Sequence, residues 1–183
     1  MKKLIAILII FTFYFQVNAQ EVKSRKEIKA EKKAQEKAEQ DAHRLVQEQW
    51  VKDTTFVLEA QRVSNKLGEV FQLNSTINFV NVNKEKATIQ LGFDQLVGWN
   101  GVGGITITGR ITRYEIDDEK KDKPIFIRMS IQGSAGMQDI TIWISSNGNG
   151  QAQIVDMRGN RIQFSGDVVS VEETRTFKGN ELY

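Results

Sequence analysis

Chemistry, if the chain performs any, would be expected first at Gly98-Trp99-Asn100-Gly101-Val102-Gly103-Gly104, where four of seven residues are glycine and successive backbone amides could line a phosphate cradle. Such a loop must open a helix, because helix N-terminal amides and the helix dipole hold the phosphate. Here Ile105-Thr106-Ile107-Thr108-Gly109-Arg110 follows with a period of two, and the run has no Gly-Lys-Ser/Thr ending. The loop therefore reads as a turn into a strand, not as a nucleotide site. Other catalytic candidates are sparse. Cysteine is absent, and the only histidine, His43, lies in a charged N-terminal stretch without a second metal ligand beside it. Asp94 precedes the glycine loop, where an aspartate ordinarily caps a turn through its own backbone. Asp117-Asp118-Glu119-Lys120-Lys121-Asp122-Lys123-Pro124 gathers carboxylates, but three lysines dilute them and no glycine follows at calcium-loop spacing, so it reads as a solvated hairpin tip. No nucleophile, base and metal constellation emerges. The expectation is a protein without catalytic residues, metal or cofactor, with an uncharacterised hydrolase as the enzymatic alternative.

A binding role has more to stand on. If Ile125 to Gln132 and Ile140 to Ser145 form a hairpin with their isoleucines inward, one allowed register sets Arg128 opposite Trp143 on the outer face, with Phe126 diagonal to it. Aromatic side chains outside a core suit contact with a protein, a sugar or a helix, and an arginine over an indole adds about 1 kcal/mol. Trp99, Asn100, Phe126, Arg128 and Trp143 are the candidate ligand- or partner-binding residues. In a competing reading the N-terminal helix covers the patch through Leu45 and Trp50, since an apolar helix stripe must bury itself somewhere. A third reading puts the ligand inside, as in lipocalins: Gly109 and Gly166 fall on inward positions and would leave room for a small hydrophobic molecule, or for Phe79, Phe93 or Phe164.

These residues are carried by segments of alternating hydrophobicity. Phe56 to Val63, Ile77 to Val82, Ala87 to Phe93, Ile105 to Thr112, Ile125 to Gln132, Ile140 to Ser145, Gln151 to Met157 and Arg161 to Val171 are predicted strands, and Glu173 to Lys178 could add an edge strand. In the central strand Ile105, Ile107 and Ile111 should point inward, and Thr106, Thr108, Arg110 and Thr112 outward. Asn147-Gly148 suits a tight hairpin with positive φ at both central residues. Ile105-x-Ile107-x-Gly109 and Ile162-x-Phe164-x-Gly166 share a pattern, a faint sign of internal duplication. About eight short strands with no helix between them make an all-β domain, an antiparallel β-sandwich or flattened barrel, over residues 53–183.

The N-terminal third differs. Met1-Lys2-Lys3, an apolar run from Leu4 to Phe15 and the small residue closing Val17-Asn18-Ala19 have the form of a signal peptide over residues 1–19. The run is too short to span a bilayer, and no cysteine is present to carry a lipid. A periplasmic or secreted location without stable membrane insertion follows as the expectation. Residues 20–52 form a charged arm rich in Lys, Glu, Gln and Ala, all good helix formers. Ala30, Ala34, Ala38 and Ala42 recur every fourth position and lead to Leu45, Val46 and Trp50, so residues from about Ala42 to Val51 should pack on the β domain while Glu21 to Glu36 stay solvated or frayed. Cleavage would remove Lys2 and Lys3 from the 25 basic side chains, leaving 23 against 23 acidic ones. Near-neutral charge argues against nucleic acid as a partner.

The chain resembles a family of exported Bacteroidetes proteins known as domain of unknown function 4251. The resemblance rests on Phe56-Val57-Leu58-Glu59-Ala60, Asn78-Phe79-Val80, Ile89-Gln90, Trp99-Asn100-Gly101-Val102-Gly103-Gly104-Ile105-Thr106 leading to Gly109, Ile131-Gln132-Gly133 and Phe164-Ser165-Gly166, and it runs from about Ala42 to Lys178. It implies export and a compact β domain, and it carries no active site over. The combined expectation is an exported, soluble, non-enzymatic binding or interaction module, with a lipocalin-like carrier as the alternative. Its partner would be an unknown protein, a glycan or a small hydrophobic ligand.

Overall fold

The computed structural model describes residues 24–93, 101, 103–117 and 123–180. The described residues fall into two units that divide between Glu39 and Gln40. Helix α1 (Arg25–Lys52) crosses that division. Its start is a capping box: the Ser24 amide donates to Glu27 Oε2 at 2.8 Å, and the Glu27 amide donates to Ser24 Oγ at 3.4 Å. From Arg25 to Glu39 every residue is exposed, as a charged stripe should be, and the segment is helical from Arg25 onward.

In the second unit nine strands follow: β1 (Thr55–Asn65), β2 (Val70–Gln72), β3 (Phe79–Asn83), β4 (Lys86–Leu91), β5 (Ile105–Asp117), β6 (Ile125–Gly133), β7 (Gly136–Ile144), β8 (Asn149–Asp156) and β9 (Arg161–Ser170). All pairings are antiparallel, and β9 returns to pair with β1, so eight strands close into a barrel in the order β1-β3-β4-β5-β6-β7-β8-β9. The short β2, which alternation alone does not predict, adds to the end of β1 beyond the part that β3 occupies. Closure removes the unpaired edges that an open sandwich would leave. The predicted edge strand over Glu173–Lys178 does not form. That segment instead lies along the outside of the barrel, held by hydrogen bonds described below.

The interior is made by the alternate residues. Phe56, Leu58, Ile125, Ile127, Met129, Ile131, Ile140, Ile142, Ile144 and Phe164 are each under 2% exposed and fill the barrel, as small barrels require. The β5 reading needs correction at one end. Ile107 and Ile111 do pack on the core, but Ile105 is 37% exposed and Thr106 is fully buried. The cause is the C-terminal segment, which covers the outer face at this point. Thr106 Oγ1 donates to Gln90 Oε1 at 3.0 Å, and Gln90 Nε2 donates to the Ile77 and Phe177 carbonyls at 3.0 and 2.8 Å. The Gly179 amide completes the set on Gln90 Oε1 at 2.8 Å. Phe79, on the same outer face, is 1% exposed, and Glu59 Oε1 accepts bonds from Thr174 Oγ1 and the Arg175 amide. Outward parity therefore means water only where nothing lies on top.

The turns also depart from expectation in one detail. Gly148 takes φ +92° but Asn147 does not have positive φ, and the Ser145 amide donates to the Asn149 carbonyl, as in a longer hairpin loop with a glycine bulge. The last turns of α1 pack on the barrel with Arg44, Gln47 and Val51 buried and Trp50 half-buried against the core. The expected apolar contacts are only partly used: Leu45 is 63% and Val46 47% exposed. Positions 44, 47 and 51 share one helix face, and that face carries an arginine and a glutamine.

Candidate functional site

Of the five candidate residues, Phe126, Arg128 and Trp143 come together on the outer face of β6 and β7, whereas Trp99 and Asn100 lie outside the described residues, as do Asp94 and positions 118–122 of the acidic loop. The register corrects the expected pairing. Phe126, not Arg128, stands opposite Trp143, while Arg128 faces Thr141 on one side and Glu115 on the other. The rings of Phe126 and Trp143 meet edge to face with centroids 5.4 Å apart. Arg128 places its guanidinium carbon 4.9 Å from the centre of the Phe126 ring, so its cation-π contact is with Phe126 and not with the indole. The shift is two residues along the strand, which keeps every isoleucine inside and is therefore invisible to the hydrophobic pattern.

The α1 helix does not cover this patch in the way expected, because Trp50 packs on the barrel core and Leu45 is exposed. His43 is exposed, with its ring 6.4 Å from that of Trp50, and its Cε1 borders Gly148.

Beside Trp143 an open groove of about 480 Å³ crosses the outer face of β7, β8, β9 and β1. Residue pairing shows how the strands build it. Trp143 is opposite Gln151, Gln151 opposite Ser165, and Ser165 opposite Arg62, so one residue from each strand forms a continuous row. Phe126 extends the row by one strand beyond Trp143. At the far end β1 bulges between Ala60 and Arg62. A bulge adds a residue to one strand and re-aims the side chains beside it. Both Gln61 and Arg62 consequently line the groove, where strict alternation would have sent one of them into the core.

Gly166 is the companion of that bulge. A Cβ on it would lie 1.9 Å from the Glu59 carbonyl oxygen and 3.0 Å from Ala60 Cα, both backbone atoms. Gly109 likewise abuts the Gln132 backbone, at 2.9 to 3.2 Å from a Cβ position. At both inward glycines the place of a side chain is taken by the backbone of a neighbouring strand. Of the three phenylalanines expected to fill the space, Phe164 is inside, Phe79 is buried on the outer face, and Phe93 is 42% exposed.

The groove side chains are held by one another. Gln163 Nε2 donates to Gln151 Oε1 at 3.0 Å, and Gln61 Nε2 donates to Asp167 Oδ2 at 2.6 Å. Sequence reasoning missed these glutamines because, read singly, each is an ordinary solvent-facing strand residue. Their convergence depends on barrel closure and the bulge. A second feature that escaped is the buried end of α1. Arg44 donates from Nε to Glu48 Oε1 at 2.8 Å and from one terminal nitrogen to the Lys123 carbonyl at 2.7 Å, but its other terminal nitrogen and both amide atoms of the fully buried Gln47 have no hydrogen-bond partner. Tyr114 donates to the Val51 carbonyl at 2.8 Å, and burial pushes its hydroxyl pKa well above the ordinary tyrosine value.

Comparison with known proteins agrees with this architecture. The model of the family described as "Domain of unknown function (DUF4251)" matches residues 33–168. A crystal structure of a DUF4251 family protein from Bacteroides eggerthii superposes with a TM-score of 0.59 at 26% sequence identity, covering 74% of this chain and 90% of that one. Curated proteins yield no match.

Proposed function

The chain belongs to the DUF4251 family, and from that premise we propose that it is an exported, non-enzymatic binding module whose ligand docks on the outer face of the barrel at Phe126, Arg128 and Trp143. The observation that carries the reading is the edge-to-face pair of Phe126 and Trp143, only half-buried and opening on a groove, with Arg128 fixed over the first ring. An aromatic pair outside the core leaves apolar area partly exposed, which a ligand would cover. The polarity of the barrel supports an aqueous setting. Its inside is aliphatic and aromatic, and its outside carries Arg128, Gln151 and Gln153, the reverse of a membrane-spanning barrel with its lipid-facing apolar band. Export rests on the form of residues 1–19, and the non-enzymatic reading rests on the lack of cysteine and the placement of the single histidine on a charged helix.

A protein-observed NMR screen with a mixed library of aromatic, saccharide, peptide and acyl fragments tests this. Hits should perturb the Trp143 indole N–H and the amides of Phe126 and Arg128, and Trp143→Ala should weaken them at least about tenfold. Hits confined to interior methyls such as Met129 and Ile142 would refute the outer-face reading in favour of a lipocalin-like carrier.

A further inference from the structure

We propose that the groove running from Trp143 across β8 and β9 to the β1 bulge is an oligosaccharide subsite. This rests on the binding-module reading and names its ligand class. The row Trp143, Gln151, Ser165 and Arg62 spans three strand spacings, each about 4.8 Å, which is the scale of a short chain of sugar rings. A sugar ring presents hydroxyls that both donate and accept, together with an apolar C–H face. The groove offers the matching set: amides of Gln61, Gln151 and Gln163, the Ser165 hydroxyl, the Arg62 guanidinium, and an indole at one end.

The amides are also oriented in advance. Gln163 Nε2 is bonded to Gln151 Oε1 and Gln61 Nε2 to Asp167 Oδ2, and each of the three glutamines lines the groove with its other amide atom uncommitted by these bonds. Holding side chains before binding reduces the ordering cost of the complex.

Other occupants fit less well. A hydrophobe would strip water from amides and a hydroxyl without replacing their hydrogen bonds. A peptide added as an extra strand needs an unpaired sheet edge, but β8 is paired on both sides. A nucleic acid needs a cluster of cations, and Arg62 is the lining cation, with Asp167 nearby.

The test is titration of the isotope-labelled full chain with trisaccharides of glucose, mannose, xylose and N-acetylglucosamine and with trigalacturonate. The readouts are the side-chain amide signals of Gln61, Gln151 and Gln163 and the Trp143 indole N–H. At least one saccharide should shift them saturably, and Gln163→Leu and, separately, Gln151→Leu should each weaken binding about tenfold while leaving the rest of the spectrum in place. If no saccharide moves these signals while aromatic or peptide fragments still perturb Phe126 and Trp143, the oligosaccharide inference is overturned and the binding-module reading survives. If neither class perturbs this face, both fall. Saccharide shifts that both leucine variants leave unchanged would also overturn the subsite.

Discussion

Gly166→Ala isolates the close approach of β9 to the β1 bulge. Gly166 does not have positive φ, so the substitution adds no left-handed strain and its effect is steric. The added methyl would sit 1.9 Å from the Glu59 carbonyl oxygen and 2.9 Å from its carbon, and both atoms belong to a strand paired on its two sides. No side chain can rotate out of the way. The β1–β9 seam must open, and this seam is the one that closes the barrel. Overpacking of this kind costs about 1–3 kcal/mol or more, and the severity of the contact places the variant at the upper end. For a domain of this size that corresponds to a fall in Tm of about 6–12 °C. Gly109→Ala is the internal comparison, because its methyl meets the Gln132 backbone at 2.9 to 3.2 Å and should cost less. Urea unfolding followed by tryptophan fluorescence and by circular dichroism measures both. A Gly166→Ala protein with wild-type midpoint and slope would show that β9 does not press on the bulge, and the account of how Gln61 and Arg62 reach the groove would fail with it.

Three further outcomes follow from the buried polar groups. Gln47→Met should raise stability by about 1–3 kcal/mol in urea unfolding, since it replaces two buried amide atoms that lack partners with an apolar side chain of similar length; an unchanged or lower value would mean that the amide is satisfied by ordered water. Gln90→Ala should cost at least about 2 kcal/mol and raise the protease sensitivity of residues 174–180, because it removes the bonds to the Ile77 and Phe177 carbonyls and the bonds that its Oε1 accepts from Thr106 Oγ1 and the Gly179 amide. Tyr114 has a raised pKa through burial, so its contribution is complete below the unfolded tyrosine value of about 10 and is lost as pH rises above it, where the unfolded chain releases a proton that the folded one retains. Wild-type stability should fall above pH of about 10 more steeply than that of Tyr114→Phe, which lacks the titrating hydroxyl, and parallel pH profiles would contradict the assignment.

Much of the fold is legible from local rules. Strand positions, the inward isoleucines of β6 and β7 and the charged helix follow from periodicity and helix propensity, since side-chain direction along a strand has a fixed period of two. The Ser24 capping box was equally available from sequence, as serine followed three residues later by glutamate. Three features were not. Registers of β6 against β7 that differ by two residues keep the same face apolar, so alternation does not distinguish Trp143 from Thr141 as the residue opposite Arg128. The burial of Thr106, Gln90 and Phe79 depends on a C-terminal segment packing on strands 87 to 116 residues away in sequence. The β1 bulge turns Gln61 and Arg62 to the same side, and only the pairing of β1 with β9 produces it.

The sequence alone determined which residues of the regular strands, such as the isoleucines of β6 and β7, face a common interior, because alternation is a property of each strand by itself. It also determined the helix-forming character of the N-terminal arm and the lack of a phosphate-holding helix after the glycine loop. The tertiary structure decided where the candidate site lies. A groove built from Trp143, Gln151, Ser165 and Arg62 needs four strands in one register and a closed ring, and such relations between distant segments are set by packing and hydrogen bonding that no local pattern encodes.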